Sequence, residues 1–104
     1  MPTKITVIYD NPTDPEAFEA GYADGQVELA RKLPGLTRIE TSKVWPKEDG
    51  SPTPAYRTAD LYFDSYEDAC AAVATPEGQA AIKDAVHVGT GGVKFLLSDI
   101  EYSS

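Results

Sequence analysis

Residues 93–100 read as a strand with two unlike faces, Val93, Phe95, Leu97 and Asp99 on one and Lys94, Leu96, Ser98 and Ile100 on the other, and both carry hydrophobes. A single sheet with helices on one side would leave one of those faces in water, so this strand calls for a second covering layer. A chain of 104 residues has material for one modest core and no second. The simplest source of the extra layer is another copy of the same chain. The expectation is one domain, residues 1–104, that pairs with itself.

The rest of the chain supplies the partners of that strand. Ile5, Thr6, Val7, Ile8 and Tyr9 form a β-branched and aromatic run closed by Asp10, Asn11 and Pro12, a strand followed by a turn. Asp14 caps a helix with Pro15 at its first position, expected to run to Lys32 before Leu33, Pro34 and Gly35 stop it. At about 100° per residue, Phe18, Tyr22, Leu29 and Leu33 share one face, with Glu16, Asp24, Glu28, Arg31 and Lys32 away from its centre. Gln26 falls inside the apolar stripe, where the period calls for a hydrophobe.

Residues 36–45, rich in Thr, Ile and Val, read as a second strand, and residues 46–54 as a surface loop. Residues 56–63 alternate Arg57, Ala59, Leu61 and Phe63 against Tyr56, Thr58, Asp60 and Tyr62, so the second and third strands can form a long hairpin. Ser65 and Asp68 resemble a capping box, opening a helix with Tyr66, Ala69, Cys70 and Val73 inward. Thr75, Pro76 and Glu77 start another, with Ala81, Ile82, Ala85 and Val86 inward. Gly89, Thr90, Gly91 and Gly92 make a turn rather than a phosphate cradle, because no helix follows them. The order β, α, β, β, α, β is that of the ferredoxin-like α+β arrangement with a four-stranded antiparallel sheet.

Charge and composition exclude several functions. A formal net charge of −8 disfavours nucleic acid and anionic membrane surfaces, whose binding needs Lys and Arg. The N-terminal run lacks the long apolar core of a signal peptide, and nothing approaches the roughly 20 apolar residues needed to span a bilayer, so a cytoplasmic location is expected. Cys70 is the lone cysteine and reads as a small core residue, and with His87 the only histidine the usual zinc spacings are absent.

Two runs, Asp14-Pro15-Glu16-Ala17-Phe18-Glu19 and Leu29-Ala30-Arg31-Lys32-Leu33-Pro34-Gly35-Leu36, resemble the EthD family. Ala59-Asp60-Leu61-Tyr62-Phe63-Asp64-Ser65 and Ala74-Thr75-Pro76-Glu77-Gly78-Gln79-Ala80 resemble its third strand and second helical segment. The resemblance implies a ferredoxin-like protomer that pairs into a dimeric α+β barrel. Related barrels include cofactor-free monooxygenases, isomerases, dehydratases and haem enzymes, so the site has to decide the chemistry. Many members have a histidine in a His-x-Pro-Leu-like motif where this chain has Gln26-Val27-Glu28-Leu29. An amide donates and accepts hydrogen bonds but shuttles no proton near neutrality, which argues here against chemistry that needs that histidine.

Tyr9, Tyr22, Gln26 and Trp45 are the candidate substrate-binding residues, since a mostly apolar pocket with a few converging polar groups is what a small-molecule site requires. His87 is the candidate catalytic residue because only its side chain ordinarily titrates near neutral pH. At a helix end it would equally suit the helix dipole or cap a carbonyl. Arg38, Glu40, Arg57 and Asp60 are placed to pair across the hairpin. The expected function is binding or transforming a small hydrophobic oxygenated molecule without a tightly bound cofactor or metal. The alternatives are a delivery module and a structural dimer with a filled core.

Overall fold

In a computed structural model, which describes residues 1–23 and 25–104, the chain forms β1 (Thr3–Tyr9), α1 (Pro15–Ala23), α2 (Gln26–Arg31), β2 (Arg38–Lys43), β3 (Arg57–Phe63), α3 (Tyr66–Ala74), α4 (Pro76–Val88) and β4 (Val93–Asp99). The strands make one antiparallel sheet in the order β2-β3-β1-β4, so the two crossovers place β1 and β3 at the centre and β2 and β4 at the edges. This is the ferredoxin-like α+β fold.

Register fixes which side chains meet. Thr3 pairs with Phe63 and Asp99, Val7 with Ala59 and Phe95, and Tyr9 with Arg57 and Val93. Because side chains alternate along a strand, Ile5, Val7 and Tyr9 share a face with Ala59, Leu61, Phe63, Phe95 and Leu97. The helices pack on that face, and Tyr9, Phe63 and Thr3 of the sheet and Phe18 of α1 are the largest fully buried side chains.

The helix starts follow capping chemistry. Asp14 Oδ1 accepts from the backbone N–H groups of Glu16 and Ala17, Ser65 Oγ from that of Asp68, and Thr75 Oγ1 from that of Gly78. The single helix expected over residues 14–32 is two helices, because Gly25 adopts a left-handed φ of 119° before α2. Asp24, expected on the outer face of that helix, lies outside the described residues. At Gly78 a Cβ would sit 2.2 Å from the carbonyl oxygen of Ala72, so the close seating of α4 on the end of α3 demands glycine.

Three inward assignments do not hold. Val86 and Tyr66 are exposed and Cys70 is only half-buried. Alanines form the helix faces that meet the core, Ala69 and Ala72 in α3 and Ala81 and Ala85 in α4, which turns the larger side chains beside them toward solvent.

The charged residues expected to pair across the hairpin do not do so: Arg38 and Glu40 pair along β2, and Asp60 and Arg57 find partners outside the hairpin. Glu40 stands opposite Asp60 on the outer face of the sheet, a juxtaposition of like charges that costs stability unless compensated. Arg38 and the Tyr62 hydroxyl engage Glu40, while Thr6 and Lys4 engage Asp60. Arg57 is one residue out of phase, on the helix face, and binds Glu19 of α1. No helix among the described residues is long and apolar enough to cross a membrane.

Candidate functional site

Between the helix face of the sheet and helices α1, α2 and α4 lies a cavity of about 120 Å³. Its existence follows from side-chain size, since Ala30, Ala59, Ala81 and Ala85 stand where larger residues would fill the space. Ile5, Val7 and Leu61 form an apolar floor, and Phe95 and Leu97 of β4 form one side. The polar members of the wall are Tyr9, Tyr22, Gln26 and Thr41.

The tyrosines are held by an aromatic cluster. Tyr9 meets Phe18 and Tyr22 edge-on, with ring centroids 5.3 and 5.8 Å apart, and Phe18 stacks on Tyr22 at 5.6 Å. Burial pushes the Tyr9 phenol well above its usual range, helped by Tyr22 and Asp84. Burial raises Tyr22 as well, against the opposing influence of Arg57 and the nearby Thr41. Both phenols are therefore neutral hydroxyls at physiological pH.

Gln26 opens α2 and is 8 % exposed. Its Oε1 is fully enclosed and has no hydrogen-bond partner among the described residues. An enclosed acceptor left unpaired costs about 1–3 kcal/mol, so this atom is a standing demand for a donor.

Behind Tyr22 the charge is already matched. The Arg57 guanidinium lies 4.7 Å from the Tyr22 ring centroid and donates from Nε and an Nη to the two oxygens of Glu19, at 3.3 and 3.1 Å. The Tyr56 hydroxyl donates to Glu19 at 2.8 Å, and Lys43 stands 3.7 Å away. These contacts, the Arg57 hydrogen bonds foremost, hold the Glu19 carboxyl below its usual range.

The cavity thus brings together Tyr9, Tyr22 and Gln26 and leaves out Trp45 and His87. Trp45 is 86 % exposed because β2 ends at Lys43 and Pro46 cannot continue the ladder, so the chain has left the sheet before the indole could turn inward. His87 is exposed because the inner face of α4 is set by Ala81, Ala85 and Val88, and residue 87 lies well round the helix from it. Thr41, Phe95 and Leu97 were missed as wall residues, although the period of two from Ile39 and Val93 carries them onto the helix face. Among the described residues no cluster of three or more His, Cys, Asp or Glu side chains is disposed to hold a metal ion.

A ferredoxin-like sheet with an apolar cavity under its helices defines a class of small α+β proteins. Residues 10–88 match the model of the EthD domain, and the chain belongs to that family. It is 39 % identical over 98 residues, 94 % of each chain, to an uncharacterized 11.0 kDa protein of the thcB-thcC intergenic region of Rhodococcus erythropolis. The crystal structure of an EthD-family protein from Bacillus halodurans C-125 superposes with a TM-score of 0.88 at 27 % identity, over 96 % of this chain and 99 % of that one. A dimeric ferredoxin-like protein of unknown function from Jannaschia sp. CCS1 shares the fold with a TM-score of 0.69 at 18 % identity, over 96 % and 100 % of the two chains.

Proposed function

We propose that this EthD-family protein is a homodimer that binds a small hydrophobic, oxygenated molecule in the cavity between α1, α2 and the sheet, without a tightly bound cofactor. The observation that carries the reading is the cavity itself. A largely apolar cavity with a few hydroxyl and amide groups converging on it has the composition of a small-molecule site. Binding and delivery are favoured over turnover because none of the described wall residues titrates near neutral pH, and the two phenols are pushed further from it. His87, on the outer side of α4, has no part in the proposal.

Pairing is supported by β4. This edge strand exposes Phe95 and Leu97 on one face and Leu96 on the other, a concentration of apolar surface that a partner would cover. The Jannaschia protein of the same fold is described as dimeric.

Two measurements test the reading. Light scattering at micromolar concentration is expected to give the mass of two chains, and a monomer mass would refute the dimer. Titration of ¹⁵N-labelled protein with small aromatic compounds, followed by NMR, is expected to shift the amides of Val7, Gln26 and Ala85. A panel that leaves those amides unmoved would refute the cavity as a binding site.

A further inference from the structure

We infer that the ligand of this cavity is a neutral hydroxyl compound of about one ring in size, an alcohol or phenol, whose O–H donates to Gln26 Oε1. The inference rests on the proposed binding role and narrows it to a chemical class. Its size comes from the volume, since about 120 Å³ is close to the roughly 150 Å³ of an apolar cavity that accommodates benzene. A single ring or a branched alkyl group of similar bulk fills it.

The hydroxyl comes from the unmatched acceptor. Gln26 is more than nine-tenths buried and lines the cavity, and its Oε1 has no partner among the described residues. Water could meet this oxygen and a neighbouring hydroxyl, but it would leave the apolar floor of Ile5, Val7 and Leu61 without a matching body. A ligand hydroxyl meets the acceptor and brings an apolar body that matches the floor. Ethers and ketones offer no proton, so they leave the oxygen unpaired.

Neutrality comes from the charges nearby. Arg57, the cation behind Tyr22, already binds both carboxylate oxygens of Glu19. Asp84 lies near enough to raise Tyr9, and the chain carries a net charge of −8. A carboxylate entering the cavity would lose its water and find no free cation among the described wall residues.

The experiment compares phenol, anisole and benzoate by NMR titration against the wild-type protein, Gln26→Leu and Gln26→Met. Phenol is expected to bind wild type about fivefold to tenfold more tightly than anisole, the ratio one ordinary hydrogen bond supplies. That ratio is expected to fall close to one in both variants, while benzoate leaves the cavity amides unmoved. Anisole binding as tightly as phenol to wild type would overturn the inference and leave the cavity reading intact, as would benzoate matching phenol. Failure of both phenol and anisole to shift the cavity amides would overturn the binding role and the inference together. Should either variant fail to fold, the comparison on wild type alone still decides.

Discussion

On one side of β1, Phe63 of β3 is 1 % exposed, while on the other Phe95 and Leu97 of β4, facing the same way, are 36 % and 42 % exposed. The three residues obey one alternation and belong to one sheet. What separates them is position. β3 has β2 beyond it and α3 above it, and the Phe63 ring comes within 3.8 Å of where a Gly35 Cβ would stand. β4 is an edge strand, and the helices do not seal its inner face. A hydrophobic alternation therefore identifies a face without saying what covers it.

The sharpest way to break this comparison is truncation on each side. Phe63→Ala is expected to cost about 3–5 kcal/mol in chemical denaturation, the usual loss for a large aromatic in a sealed core. Leu97→Thr, measured at dilutions where the chain is monomeric, is expected to change stability by no more than about 0.5 kcal/mol, while lowering the dimer fraction seen by light scattering. Equal losses at the two sites would show that β4 is as well covered within one chain as β3.

A smaller effect, of opposite sign, comes from the cavity between these regions. Gln26→Leu removes the enclosed unpaired oxygen and restores the apolar stripe of the helix, so it is expected to raise stability by up to roughly 1 kcal/mol. A fall in melting temperature would instead mean that the amide holds the fold together.

The smallest expected effect is electrostatic. Glu19 has a folded pKa below its ordinary value of 4.5, so its contribution is present above that value and is lost as pH falls through the folded pKa. Its side chain is 36 % exposed, and solvent screening limits the contribution to less than about 1 kcal/mol. Acid titrations of Glu19→Gln are expected to show a shallower loss of stability below pH 4.5 than wild type, and identical slopes would remove Glu19 from the account.

Much of this was legible from local chemistry. The alternation in residues 56–63, the Ser65 cap and the Thr75-Pro76 start each sit where the structure has β3, α3 and α4. Gln26 stood out as the polar residue in an apolar stripe, and it lines the cavity. What escaped was tertiary. A lone Gly25 inside a helical pattern is usually tolerated, so nothing marked it as a break. Alanine-lined helix faces carry little hydrophobic signal, which let Val86 and Tyr66 be turned inward. Trp45 was expected at the end of a strand over residues 36–45, which stops two residues earlier at Lys43, and the Glu19–Arg57 pair joins positions too distant in the chain for any local pattern to connect.

The engagement of Arg57 by Glu19 also bears on which fraction of a ligand the cavity can take from solution. With no spare positive charge at the described wall, an acidic phenol enters only in its protonated form. Its apparent affinity then declines about tenfold for each pH unit above the ligand's own ionisation, because only the competent fraction binds. An alcohol of the same shape shows no such decline. Occupancy is then governed by the titration of the guest, and the protein behaves toward weak acids as a partitioning phase rather than as a titrating receptor.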